Sequence, residues 1–442
     1  MCYRSTKYIL LWSLMLIVME VSAQQSPQTV SLSLTQVWQQ AELHNKRIRM
    51  QQLHVQSSDE DIKDAKKERL PDINASGEYD YVSNMPLYEN GLFHVPAQYP
   101  VLHTYYRVGG DTYFNLYSGN KANLKVAEQQ TEKQIRIQET NLTASDIRLS
   151  AANYYLQLQR GNMFRTLTLQ NIADQQKQLE QIIQLQKHGV VLKSDVLRAQ
   201  LQLSRLRLSL DQINHDIAIA NQKLNIVIGQ PDSTAIITTT QLNADSLTLK
   251  PLDSYLTDAL QHSYQLKASE RETELRRLQM KDIKANAAPR VGLFANYAYT
   301  YPQIQFYPYG AYLYGLGMAG VRASYSLSNL YKNKHKENAS KLEYERQELE
   351  HSDTWDVIRQ QVTEAYLRYQ EALTRIGVAR TNIQQAGENA RIVNNTYFNQ
   401  LSLVTDLLDA NTQLLQTRFD LAAAQIAAQM QYYQLQKVIG NL

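Results

Sequence analysis

Slid along itself by 211 residues, the chain comes into register in three separate places. Phe114-Asn115-Leu116 lies over Tyr325-Ser326-Leu327, Ser194-Asp195-Val196-Leu197 over Thr405-Asp406-Leu407-Leu408, and Val227-Ile228-Gly229 over Val438-Ile439-Gly440. Upstream, Leu70-Pro71-Asp72-Ile73 resembles Ala288-Pro289-Arg290-Val291, with a seven-residue difference in length between the copies. A unit of about 200 residues is far longer than a solenoid repeat, so it reads as duplication of a whole domain. Residues 24–230 form the first repeat, 231–250 a polar linker and 251–442 the second repeat.

Each copy has the same order: helix, strand, loop, strand, very long helix, turn, helix. A helical pattern from about Gln36 to Glu68 is stopped by Pro71. Ile73, Ala75, Gly77, Tyr79 and Tyr81 then alternate with Asn74, Ser76, Glu78 and Asp80, the period of a strand. Strands are expected at about 73–83, 104–116, 291–301 and 312–327. From about Asn120 to Lys187 there is no proline and one glycine, Gly161, which gives roughly 100 Å of helix at 1.5 Å per residue. Leu142, Leu149, Leu156 and Met163 recur every seven residues there. The last helix of each copy steps by three and four without a break, through Val196, Ala199, Leu203, Leu206, Leu210, Ile213, Ile217, Ala220, Leu224 and Val227 in the first. Such spacing signals left-handed coiled-coil packing.

Composition fits long helices and one unusual surface. With 16 glycines and 10 prolines in 442 residues, the chain lacks the turns of an α/β enzyme. A mean hydropathy of −0.45 excludes a polytopic bundle of membrane helices. Tyrosine is in excess, 29 against 7 Phe and 3 Trp, which calls for a surface where a ring lies in fat and its hydroxyl in water. Arg4 and Lys7, the apolar run Ile9–Met19 and Val21-Ser22-Ala23 read as an export signal over residues 1–23. The single cysteine, Cys2, lies within it, so the mature chain has no disulfide and no cysteine ligand. The net charge of +3 provides no polybasic footprint for nucleic acid.

Strands of about 10 alternating residues suffice to cross an outer membrane when tilted. Four cannot close a barrel, and an open edge in lipid leaves backbone groups unpaired. Closure therefore requires several chains, and three would supply about 12 strands around a water-filled lumen. The tyrosines at the strand ends, Tyr79, Tyr81, Tyr297, Tyr299 and Tyr301, resemble an interfacial girdle and weigh against a small soluble sheet.

At the turns the chain resembles the TolC-like family of outer-membrane efflux channels. Tyr397 to Ala410, YFNQLSLVTDLLDA, is similar to the family's second helix-to-helix turn, Y-x-x-G-x-x-x-x-x-D-x-L-x-A, and Lys187 to Leu197, KHGVVLKSDVL, to the first. Leu116-Tyr117-Ser118-Gly119-Asn120 and Leu327-Ser328-Asn329-Leu330-Tyr331 resemble the strand-to-helix segments. The resemblance covers essentially everything after the signal. It implies a mainly α fold with membrane β: duplicated coiled-coil hairpins forming a periplasmic α-barrel, and four strands per chain contributing to a 12-stranded β-barrel in a homotrimer embedded in outer-membrane lipid. It further implies a periplasmic adaptor (membrane fusion) protein, an inner-membrane pump of the resistance-nodulation-division or ATP-driven class, and export of drugs, metal ions or proteins through a tip that is closed at rest. The alternative is a non-pore periplasmic coiled-coil scaffold or adaptor. The two long hairpins and four membrane-like strands count against it.

By the same resemblance, Asp406 and Asp409 line the closed tip, and Tyr397 lines the lower helical barrel. Rings of carboxylates in a narrow pore attract cations. Asp195 is a weaker pore candidate, because Ser194 and Thr405 read as N-caps and the following carboxylates then complement helix dipoles. Gly189, Val190 and Leu192 in one turn, with Gln400, Leu401 and Leu403 in the other, are candidates for adaptor docking or for a plain apolar hairpin corner. Two positions depart from the family. Gln400 replaces a glycine, so that turn must avoid positive φ or bear the strain, and Ser402 replaces an arginine that ties the closed tip in some members. The nine histidines never fall at the spacing of a helical zinc pair, and no cofactor or nucleophile fingerprint is present, so neither metal, cofactor nor enzymatic activity is expected.

Overall fold

The computed structural model describes residues 29–240, 248–305 and 309–442; the export signal expected over residues 1–23 lies outside the described residues. The elements run β1 (Thr29–Leu32), α1 (Leu34–His44), α2 (Lys46–Lys67), β2 (Asp72–Tyr81), β3 (Met85–Leu87), β4 (Ala97–Tyr99), β5 (Thr104–Tyr117), α3 (Lys121–Lys187) and α4 (Lys193–Ile228). There follow β6 (Ala235–Thr238), α5 (Leu252–His262), α6 (Tyr264–Ala285), β7 (Arg290–Tyr301), β8 (Tyr314–Ser324), α7 (Leu327–Lys332), α8 (Lys334–Phe398) and α9 (Val404–Val438). Among the described residues no helix is long and apolar enough to cross a membrane.

The pattern read as one helix from Gln36 to Glu68 is two helices. Asn45 interrupts it in an extended conformation, with its side-chain amide donating to the Val227 carbonyl at 3.3 Å. Ser263 breaks α5 from α6 at the matching place in the second copy. Here each copy is locked by its last helix. Gly229 and Gly440, both at positive φ, end α4 and α9, and a Cβ at either position would collide with His44 or with the His262 carbonyl, respectively.

Contacts divide the chain into two units. One comprises the described residues of 1–49, 142–263 and 358–442, the other those of 50–141 and 264–357. In the first unit, the core gathers Val37 and Ala41 of α1, Ala151, Ala152, Tyr155 and Leu158 of α3, Leu224 and Ile228 of α4, and Ile236 of β6. Tyr155 is fully buried. Its hydroxyl donates to the Leu32 carbonyl and accepts from the Thr240 amide, both at 3.0 Å, which holds the ends of the parallel pair β1–β6. The α4 seam buries Ala199, Leu203, Leu206, Ile213, Ala220 and Leu224. The heptad Leu142, Leu149, Leu156, Met163 is not the seam of α3, since only Leu156 of the four is buried. Helix α9 buries two stripes, Leu407, Ala410, Ala424, Ala428 and Leu435 on one and Leu408, Leu415 and Ala422 on the other.

The second unit holds the four-stranded antiparallel sheet, in the order β2-β5-β7-β8. Ile73↔Thr112, Tyr79↔Tyr106, Tyr106↔Tyr301, Val108↔Tyr299 and Tyr299↔Gly315 set one face, and Glu78↔Arg107, Asn74↔Asp111 and Gly292↔Arg322 the other. Gly109 makes a close contact, sitting where a Cβ would strike Ala298; the irregularity in β5 falls further on, between Asn115 and Tyr117. Where α3, α6 and α8 meet, Glu132, Arg136, Glu139, Glu272, Arg276, Arg346, Gln347 and Glu350 surround a cavity of about 350 Å³. Arg136 pairs with Glu139 at 2.9 Å and Arg346 with Glu350 at 2.7 Å, while Glu272 accepts from Gln347 at 3.5 Å. Burial, with Glu350 and Glu139 adding to it, pushes the Glu272 carboxyl up from 4.5, against the pull of Arg276.

Two outcomes are expected. A Cβ at Gly161 of α3 would lie 2.6 Å from Cγ1 of Ile217 on α4. Gly161→Val should therefore lower the thermal midpoint by the equivalent of about 1–3 kcal/mol, and Ile217→Ala in the same chain should restore part of the loss. A carboxyl whose pKa is raised on folding stabilises the folded chain fully only below its unfolded value, and that contribution is lost as pH rises through the folded value. Lowering pH from 8 towards 4.5 should therefore raise the midpoint of the wild type through Glu272. Glu272→Gln should raise it at pH 8 and flatten that part of the pH profile.

Candidate functional site

The two helix-to-helix turns carry most of the residues singled out by the sequence. Each long helix ends in the same hydrogen-bonded stop. Val190 N–H donates to the Leu185 carbonyl at 2.9 Å and Gly189 N–H to Gln186 at 3.0 Å. In the second copy Leu401 N–H donates to Thr396 at 2.8 Å and Gln400 N–H to Tyr397 at 2.9 Å. Both are Schellman motifs, which need a left-handed residue just past the helix. Gly189 takes it at φ 73 and Gln400 at φ 64, so the second turn keeps the geometry and bears the strain of a side chain. Ser402 accepts a hydrogen bond from Thr396 Oγ1 at 3.1 Å.

The helices that follow begin earlier than expected. Their N-caps are Leu192 and Leu403, not Ser194 and Thr405, which lie inside the first turn. The carboxylates reach back instead. Asp195 Oδ2 accepts from the Leu192 amide at 3.2 Å and Asp406 Oδ2 from the Leu403 amide at 3.1 Å. Each thus satisfies an amide that the helix leaves open, beside the positive end of the dipole. Asp406 remains exposed, and Asp409, one turn on, is exposed beside it with no capping task.

Apolar side chains stand out at matching positions of the two turns. Val190 and Leu192 are 40% and 72% exposed, and their register mates Leu401 and Leu403 are 78% and 69% exposed. Tyr397 is placed differently. It is buried among Leu179, Ile182, Ala199, Leu203, Val404, Leu407 and Leu408, drawn from the other three helices that end here. Its hydroxyl has no hydrogen-bond partner among the described residues, and burial, with Asp195 contributing, pushes the phenol up from 10.0. One charge escaped the sequence reading. Arg198 is the register mate of Asp409, so the first turn presents Asp195 and Arg198 where the second presents Asp406 and Asp409. The 211-residue register alone contained that signal. Among the described residues, no group of three or more His, Cys, Asp or Glu is placed to hold a metal ion.

No protein-family model matches the sequence, and no curated protein sequence does. Solved structures do. CusC, described with transmembrane channel formation, is 15% identical with a TM-score of 0.79, over 95% of this chain and 96% of that one. The outer-membrane channel OprN is 15% identical at 0.77, over 92% and 90%. The outer membrane protein VceC from Vibrio cholerae is 17% identical at 0.75, over 92% and 96%. The chain has the fold of these outer-membrane proteins.

The strain at Gln400 can be measured directly. Gln400→Gly should raise the unfolding midpoint of the purified protein by the equivalent of about 1 kcal/mol. Gly189→Gln should lower it by a similar amount, because nothing lies within 4 Å of a Cβ there and only the backbone term is tested. Equal midpoints for all three proteins would show that the turns relax when a side chain is added or removed.

Proposed function

We propose that three copies of this chain form an outer-membrane channel of a Gram-negative bacterium, the exit duct of a tripartite efflux or type I secretion system. The observation that carries this reading is the sheet. One face presents Ile73, Tyr79, Tyr81, Val108, Leu293, Tyr297, Tyr299 and Val321, all exposed in the single chain. Strands β2 and β8 at its two ends each have one unpaired edge. A tyrosine-rich apolar face fits lipid, and the two edges fit each other across a closure of 12 strands. The opposite face, with Asn74, Glu78, Arg107, Asp111 and Arg322, then lines a wet lumen.

On this reading the helical hairpins of three copies continue the duct through the periplasm. The exposed pairs Val190/Leu192 and Leu401/Leu403, with Gly189 and Gln400 at the bends, receive a periplasmic adaptor protein. The adaptor couples the duct to an inner-membrane pump of the resistance-nodulation-division or ATP-driven class. The chain itself does no chemistry on its cargo of drugs, metal ions or proteins; the pump supplies the work. At the tip, three copies of Asp406 and Asp409 concentrate negative charge and favour cations, Arg198 opposes them, and Tyr397 and Ser402 brace the wall behind the gate.

Single-channel recording in a planar bilayer, with the mass in detergent taken alongside, tests this. A trimer with small, cation-preferring conductance is expected, and a monomer that is electrically silent would end the reading. Asp406→Asn with Asp409→Asn should reduce the cation preference of the intact trimer, and Arg198→Gln should increase it. Unchanged selectivity in both would leave Asp406 as a helix cap only.

A further inference from the structure

The connections at the far end of the sheet are built, and they differ. Loop one, residues 82–103, joins β2 to β5 and contains the hairpin β3–β4, paired Met85↔Tyr99, Pro86↔Gln98 and Leu87↔Ala97. Its base is closed by the Val82 amide donating to the His103 carbonyl at 2.8 Å, with the His103 ring stacked on Tyr81. At its tip, His94 N–H donates to the Gly91 carbonyl at 3.1 Å, and Gly91 has φ 92. That turn displays Leu92 and Phe93, followed by Val95, at 81%, 101% and 96% exposure. A pinned hairpin thus holds three apolar side chains with nothing of their own chain against them.

Loop two joins β7 to β8 and is shorter; its described residues are 302–305 and 309–313. Gln303 and Gly310 exchange two backbone hydrogen bonds of 2.9 Å. The Tyr312 ring lies where a Cβ on Gly310 would stand, and Tyr314 donates to Gln305 at 3.0 Å. Tyr309 and Tyr312 remain 67% and 69% exposed. Both loops flank the inner pair β5–β7, and each presents exposed apolar or aromatic side chains.

Each loop has a second neighbour once copies close. Because β2 and β8 are the edge strands, closure sets β8 of one copy about 4.8 Å from β2 of the next, and so sets loop two beside loop one of the next. We propose that Leu92, Phe93 and Val95 dock on Tyr309 and Tyr312 of the adjacent copy, an apolar clasp that binds the copies at the outer mouth. The partner is a second copy of this chain. The geometry favours it over lipid, because the tip lies beyond the strand ends that carry the tyrosine girdle. The proposal rests on the barrel reading above.

Beyond the expected export signal the chain has no cysteine, so disulfide trapping is clean. Full-length protein carrying Phe93→Cys with Tyr312→Cys, oxidised in outer-membrane vesicles, should lose most of its monomer band to linked dimer and trimer. A seam control, Ser76→Cys on β2 with Met318→Cys on β8, treated with a flexible bis-maleimide, reports barrel closure separately. Linking in both supports the clasp. A linked seam with an unlinked loop pair overturns the clasp and leaves the barrel. An unlinked seam overturns the barrel and the clasp with it. Copies joined by Phe93→Cys alone would place the tips against one another at the axis and also overturn it.

Discussion

A β-sheet edge in hydrocarbon is intolerable unless another strand covers it, because each bare amide or carbonyl there costs several kcal/mol. This chain carries two open edges, β2 and β8, on a sheet of only four strands. On the proposed reading, much else in the sheet suits the same setting. Tyrosines crowd the apolar face, and the rings of Tyr297 and Tyr299 lie over Gly317 and Gly315 on the neighbouring strand, where any Cβ would meet them. The glycines allow the rings to cover backbone on an edge strand without steric cost, and the hydroxyls keep the rim wet. A strand buried in a soluble core would have no use for that pairing.

The helices obey a different constraint and were unevenly legible. In α4 one face carries the packing, so the three-four spacing of Ala199, Leu203, Leu206, Ile213, Ala220 and Leu224 coincides with the buried seam. In α3 the burden is spread over 67 residues and several neighbours, with small residues and a tyrosine at the centre. A leucine heptad therefore pointed to the wrong face, because leucines at half-buried positions recur as regularly as those in a seam. The breaks at Asn45 and Ser263 were invisible for another reason. No proline or glycine marks them; each depends on a distant helix end, Gly229 or Gly440, pressing against the preceding histidine.

At the turns the residue types were right and one register was wrong. Ser194-Asp195 and Thr405-Asp406 each offer two ways to start a helix, with the hydroxyl as N-cap or with the carboxylate at the third helical position. The structure uses the second, which leaves a leucine at the cap and turns it outward. That choice explains an otherwise odd feature, the large exposed leucines at the start of both helices. Capping by the carboxylate alone frees the cap position to carry a side chain that faces away from the chain.

Duplication accounts for where the two halves diverge. Most seam positions stay apolar in both copies because each must pack a long helix, although Thr417 and Gln431 answer to Leu206 and Ala220. The closing glycines Gly229 and Gly440 persist because a Cβ has no room at either. The differences gather where packing does not decide: Gly189 against Gln400, Arg198 against Asp409, and a long outer loop against a short one. The four turn residues are exposed, and all of these differences lie at helix turns or strand connections. Two copies held to one architecture thus differ visibly at positions that face something other than their own chain. A partner, a gate or a neighbouring copy can act on those positions without disturbing the walls that the repeat holds fixed.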